Sequence, residues 1–158
     1  MHKPDSNEAE VLDEEESAVK YGELDNHLGY LVRRAQYWIF RDVNAKLSPF
    51  KLNVSRYSVL EIVRANPGIS QIALAGALGI ERARLVALLD DLQSLGFLVR
   101  ERSAVDRRSH ALHLTPLGRT AQKKANVAVA EHEKKLTKRI GLEKYQMALV
   151  ALSDFRTG

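Results

Sequence analysis

Four groups of side chains in this sequence have the types and spacing to engage an anion. Arg82 and Arg84 stand beside Glu81 at the start of a leucine-spaced segment. Arginine carries a fork of N–H donors that fits O6 and N7 of guanine, a contact worth about 1–3 kcal/mol in discriminating bases. Further along, Asp106-Arg107-Arg108 sets an acid beside two arginines in a polar loop. Asp106 can hold Arg108 in an ion pair and leave Arg107 for a phosphate or a narrow minor groove. Arg100 and Arg102 flank that loop and tilt it toward a phosphate-facing surface, while Ser70 and Gln71, at a helix start, can add hydrogen bonds to backbone phosphates. The fourth group is Tyr30, Arg33, Arg34, Tyr37 and Arg41, which offers guanidinium forks for a carboxylate or phosphate and rings for an aromatic group. Plainer readings stand beside these: solvated helix surface, an exposed ion-pair cluster, or a dimer-packing stripe whose arginines pair with acids elsewhere.

The charge is unevenly spread. Of 24 lysines and arginines and 20 acids, two and nine lie before His27, so that segment carries −7; the remaining 22 bases and 11 acids give +11. A basic body behind an acidic arm suits a polyanionic partner, because cations that neutralise phosphates release condensed counterions. A basic surface without a partner would have the same composition. Cysteine is absent, which excludes disulfides, thiolate zinc sites and a cysteine redox switch and fits a reducing cytoplasm. No apolar run approaches the roughly 20 residues that span a bilayer, and the first residues lack a secretory signal pattern, so a soluble, cytoplasmic protein with no membrane partner is expected.

The positioning elements follow from periodicity and punctuation. Residues 1–23 read as an acidic flexible arm, too poor in apolar side chains to offset the entropy of ordering. Residues 24–158 read as one domain. Leu24, Leu28, Leu31, Ala35, Ile39 and Val43 mark one face of a long helix ended by Ser48-Pro49, with the tyrosine–arginine stripe roughly opposite. Asn53 caps a second helix that runs to about Ala65, with Val54, Tyr57, Val59, Leu60 and Val63 inward, before Asn66-Pro67-Gly68 turns the chain. Ser70 caps a short helix with Ile72, Ala73, Leu74 and Leu78 inward, and Gly79 makes a sharp corner. The next helix begins near Glu81, turns Leu85, Leu88, Leu89, Leu92 and Leu95 inward and stops at Gly96. Two helices about a glycine corner make a helix-turn-helix, whose second helix enters the major groove and reads bases near its N-terminus. Residues 97–102 and 110–114 read as a hairpin, a wing. Thr115-Pro116 opens a long helix with a thin alanine face, and an apolar last helix spans about Leu142 to Phe155. Neither finds a partner within so small a domain, so a second copy about a two-fold axis is expected to cover them. The fold class is thus mainly α with a small β-hairpin wing: a winged helix-turn-helix over 53–115, between dimerisation helices at 24–47 and 117–156.

At this point the chain resembles the MarR family of regulators, from Leu24 to Phe155. The resemblance rests on Leu92-Gln93-Ser94-Leu95-Gly96-Phe97-Leu98-Val99-Arg100, then Asp106-Arg107-Arg108, then Leu112-His113-Leu114-Thr115-Pro116-Leu117-Gly118, in the order of recognition-helix end, wing and return strand. It implies a triangular homodimer joined by its first and last helices, a wing in the minor groove, and repression of a palindromic operator in double-stranded DNA that a small ligand relieves. Effectors of similar proteins bind between the first helix and the DNA-binding lobe, which makes the tyrosine–arginine stripe the candidate site for an anionic aromatic acid or its coenzyme A thioester. The chain departs from the family at Val86 and Ala87, where members often carry threonine and arginine, and this shifts base reading toward Arg82 and Arg84.

Other classes fare worse. His27, His110, His113 and His132 form no HExxH pattern, and neither a Gly-rich phosphate loop nor a nucleophile elbow is present, so no catalytic residues and no cofactor are expected. His110 and His113 with Asp106 make a poor metal site, since strand residues three apart face opposite sides. A regulator of efflux or stress genes with another phenolic or drug-like ligand remains open, as does a protein-interaction module without preference for a palindromic duplex.

Overall fold

The computed structural model describes residues 19–102 and 110–156. The chain divides into two units, Met1–Ile39 and Phe40–Gly158. In the first, a 3-10 turn at Gly22–Asn26 precedes helix α1, Leu28–Leu47. The sequence periodicity places the helix start at Leu24; instead His27 takes extended backbone, φ −101° and ψ 112°, and separates the turn from the helix. The Tyr21 and Tyr30 rings lie 6.0 Å apart, and the Arg34 guanidinium sits 5.9 Å from the centre of the Tyr21 ring.

In the second unit, the end of α1 buries Val43 and Leu47 before Ser48–Phe50 turns the chain in a 3-10 step. Helix α2, Val54–Ala65, starts where Asn53 Oδ1 accepts the Arg56 N–H at 2.9 Å, and it buries Val59, Leu60 and Val63. Strand β1, Ile69–Ser70, leads into α3, Gln71–Leu78, capped by Ser70 Oγ accepting the Ala73 N–H at 3.2 Å. Gly79 closes α3 with φ +61°, a left-handed corner that suits glycine. Helix α4, Arg82–Ser94, follows and buries Leu85, Leu89 and Leu92.

Strands β2, Leu98–Arg102, and β3, His110–Leu114, pair antiparallel, with Leu98 opposite Leu114 and Arg100 opposite Leu112. Strand β1 adds to the other edge of β3, giving the order β1-β3-β2. Thr115 Oγ1 accepts the Gly118 N–H at 2.9 Å and donates to the Gly96 carbonyl at 2.6 Å, tying helix α5, Pro116–Ile140, to the end of α4. Gly118 is required by contact: a Cβ there would lie 1.9 Å from the Phe97 carbonyl oxygen. Helix α6, Leu142–Ser153, completes the chain with a short 3-10 turn at Asp154–Arg156.

The core of this unit lies between α2, α3, α4 and the sheet. Leu47, Leu60, Leu74, Leu85, Leu89, Leu92, Leu98 and Leu112 are all fully buried there. Two residues expected inside are not: Ile72 is 72 % exposed and Ala73 is exposed as well. Helix α3 has only two turns, and Leu74 and Ala75 take its one inward side. No helix among the described residues is long and apolar enough to cross a membrane.

Candidate nucleic-acid interface

Helices α3 and α4 meet about the Gly79 corner, and three leucines fully buried on one side of α4 leave its other side outward. Glu81 occupies the N-cap in extended conformation without a side-chain cap bond, so the first N–H groups of α4 keep their pull on anions. Arg82 and Arg84 stand exposed in this first turn, and neither forms an ion pair or hydrogen bond among the described residues. Their donors are available to a base edge or phosphate.

The other expected contacts are placed differently. Ser70 and Gln71 are half-buried at the start of α3, and the Ser70 hydroxyl already serves as its cap. Arg100, which the sequence aims at phosphates, turns onto α4 instead: its Nη2 donates to Asp90 Oδ1 at 2.5 Å and approaches the Val86 carbonyl at 3.4 Å, leaving the side chain 20 % exposed. Arg102 ends β2, paired across the hairpin with His110. Asp106, Arg107 and Arg108, with the supposed Asp106–Arg108 ion pair, lie outside the described residues.

No local pattern in the sequence points to a partner for Arg56. Its Nη2 donates to Asp91 Oδ2 at 2.9 Å and its Nη1 to the Lys51 carbonyl at 3.2 Å, clamping α2 to α4. A polar seam that no sequence motif marks also runs along α5. The Tyr57 hydroxyl donates to Asn126 Oδ1 at 2.6 Å, and Glu61 accepts from Arg64 and from the buried Gln122 amide. The Arg64 hydrogen bond holds the Glu61 carboxyl below its usual range despite partial burial, and burial together with the Glu61 charge pushes the Tyr57 hydroxyl up. Farther along, fully buried His132 places Nδ1 2.6 Å from Asp42 Oδ2, and Lys135 donates to Asp42 Oδ1 at 2.8 Å. These bonds depress the Asp42 pKa, that from Lys135 most, and they fasten the end of α1 to α5.

Of the tyrosine–arginine stripe on α1, Tyr30 is half-buried, and Arg33, Arg34, Tyr37 and Arg41 are exposed, Tyr37 to 71 %. At about 100° per residue all five fall on one side of the helix. Separately, an open groove of about 290 Å³ in the second unit is lined by Phe50, Lys51, Phe97, Leu117 and Lys124 among others. Among the described residues no three histidines or acids gather where they could hold a metal ion.

The MarR family model matches residues 50–109. The chain is also 31 % identical over 121 residues to a protein of Thauera aromatica assigned as a transcriptional regulatory protein for the hcr operon, covering 76 % of this chain and 73 % of that one. This chain belongs to the MarR family. Among solved structures, the transcriptional repressor CouR bound to a 23-mer DNA duplex is 41 % identical with a TM-score of 0.84, over 88 % of this chain and 99 % of that one. CouR bound to p-coumaroyl-CoA is 40 % identical with a TM-score of 0.80, over 87 % and 96 %. A CouR from Rhodococcus jostii RHA1, also bound to p-coumaroyl-CoA, is 25 % identical with a TM-score of 0.75, over 84 % and 94 %. As a MarR family member this chain is a DNA-binding, ligand-responsive transcription regulator and not an enzyme, and its winged fold is that of the family.

Proposed function

We propose that this MarR family chain is a cytoplasmic homodimeric repressor of a palindromic operator, released when an aromatic acyl-coenzyme A thioester or the parent acid binds. The observation that carries this reading is the high similarity, over most of the chain, to one repressor solved both on duplex DNA and on p-coumaroyl-CoA. The exposed Arg82 and Arg84 at the uncapped start of α4 supply base readers, and Arg107, Arg108 and Arg102 of the hairpin supply phosphate or minor-groove contacts. Ser70 and Gln71 add contacts to the backbone.

The dimer forms through the outer faces of α1 and α6, where Leu28, Leu31, Met147, Leu149, Val150 and Leu152 are exposed. The arm at 1–23 precedes the domain at 24–158. On the effector side, Tyr30, Arg33, Arg34, Tyr37 and Arg41 take the anionic and aromatic parts of the ligand, as fork and ring chemistry suits.

Release needs little energy. A coupling of about 1–3 kcal/mol between sites lowers operator affinity roughly 5- to 150-fold. Two recognition helices must match major grooves about 34 Å apart, so a small change in their separation is enough. The test is to titrate hydroxycinnamoyl-CoA, benzoyl-CoA and the corresponding free acids into a complex of the full chain with its own upstream DNA. At least one of these is expected to release the DNA, and the combined substitution of Tyr37 and Arg41 by Ala should raise the concentration needed at least tenfold. Unchanged DNA affinity across the panel would remove the aromatic-effector reading.

A further inference from the structure

Helix α4 carries two aspartates where a DNA-reading helix should not tolerate bare negative charge. Successive residues turn by about 100°, so Leu85, Leu89 and Leu92 define the buried side of α4 and Asp90 and Asp91 project from the outward half, on the third turn behind Arg82 and Arg84. Both aspartates are more than half exposed, at 61 % and 53 %. On a helix lying in the major groove, that turn approaches the sugar-phosphate walls, and a free carboxylate there would oppose binding. Each aspartate is instead met by an arginine from another element: Arg100 of β2 reaches Asp90, and Arg56 of α2 reaches Asp91. Both arginines are largely buried, 20 % and 28 % exposed, and each is also bonded to a main-chain carbonyl, Val86 for Arg100 and Lys51 for Arg56. A side chain pinned in this way cannot reach out to a phosphate without releasing its aspartate.

We propose that Arg56 and Arg100 are positioning residues for operator recognition: they neutralise Asp91 and Asp90 and set the angle of α4, and they do not bind DNA themselves. This rests on the reading of α4 as the recognition helix, and it assigns to two cations of the basic lobe a role opposite to the one their charge suggests. The two roles separate under salt and under removal of the aspartate. A phosphate contact contributes its own counterion release, so its loss lowers the salt dependence of log Kd by about one unit. An arginine that neutralises its aspartate matters most while that carboxylate is present, and its loss leaves the salt slope unchanged.

The experiment uses the full-length chain and a duplex that the wild-type chain selects from a randomised library, with Kd measured across a salt series. Failure to select any duplex would sink the recognition-helix reading itself, and only success lets the variants speak to the arginines. Arg100→Ala is expected to weaken binding roughly tenfold to a hundredfold, because Asp90 is left bare beside phosphate. The pair Arg100→Ala with Asp90→Asn is expected to return within about threefold of wild type with an unchanged salt slope. Arg56→Ala and its pairing with Asp91→Asn should behave alike. If a single variant does not fold, the paired variant still decides through its salt slope, since a lost phosphate contact lowers that slope and a lost main-chain carbonyl bond does not. Paired variants that stay as weak as the single ones, with a slope reduced by about one, would overturn the proposal and make these arginines phosphate contacts.

Discussion

Helices α4 and α6 are of similar length and both rich in leucine, yet they use their apolar side chains in opposite ways. In α4 the leucines at 85, 89 and 92 recur on one side and are fully buried against the lobe, while Arg82 and Arg84 stand exposed in the first turn ahead of them. In α6 no residue is buried; Met147, Leu149, Val150 and Leu152 are all at least half exposed. Helix α4 finds its hydrophobic partner within the chain, which leaves its exposed polar residues for the proposed contact with DNA. The second has an apolar surface too large to leave in water, which a second copy would cover. The lesson is a division of labour: stability of the reading head is local, whereas the bivalence of the proposed dimer would be set by a surface that the single chain leaves open.

The sharpest way to break that division is to put charge on α6. Met147→Glu with Val150→Glu should yield monomers by sedimentation while the lobe still folds, since neither side chain belongs to its core. Binding to a palindromic duplex should then fall about 10²- to 10⁴-fold, because the second half-site is no longer held at high effective concentration. A dimer that survives both substitutions would place the interface elsewhere. The converse break is Leu89→Ala, which opens a cavity in the lobe and should cost about 2–5 kcal/mol in denaturant unfolding. Leu149→Ala should cost the monomer almost nothing. If the two were equal, α6 would be as fully packed as α4.

A finer cut concerns the exposed first turn of α4. Arg82→Ala and Arg84→Ala should each cost about 1–3 kcal/mol with the selected duplex and much less with random DNA, since a base contact discriminates and a phosphate contact does not. Equal losses on both duplexes would demote that arginine to a backbone contact.

Much of this arrangement is legible in the chain. Asn53, Ser70 and Thr115 announce helix starts because a short polar side chain just ahead of an apolar period has one favourable use, and all three cap. The leucine spacing of α4 shows its buried side directly. Helix α3 was harder: its eight residues are apolar nearly all round, so no periodicity says that Ile72 faces out. The charge of Arg100 points to a phosphate but its position points inward, since it shares a strand face with buried Leu98 and that alternation turns it toward the helix. Its partner Asp90 and the Arg56–Asp91 clamp depend on residues 10 and 35 positions apart, beyond any local pattern. The α5 seam offers a faint signal, as Gln122 and His132 fall among the alanines that face inward, at 121 and 125.

The smallest effect lies where the two kinds of region join. Asp42 at the end of α1 is bonded to Lys135 and His132 of α5, and these bonds lower its carboxyl pKa from the ordinary 3.8. A carboxyl that binds its proton less readily when folded adds stability at pH values above its unfolded pKa, and that stability is lost as the pH falls through the lower folded value. The urea midpoint should therefore drop on acidification below about pH 4, and Asp42→Asn should flatten that drop while lowering the midpoint at neutral pH. Glu61, held down by Arg64, contributes in the same direction, so Asp42→Asn should remove only part of the acid sensitivity. An acid limb identical in Asp42→Asn and wild type would mean that the Asp42–Lys135–His132 bonds add nothing to folding. The joint between reading head and base would then rest on apolar packing such as that of Val43 and Leu47 and on the Tyr57–Asn126 and Gln122–Glu61 bonds.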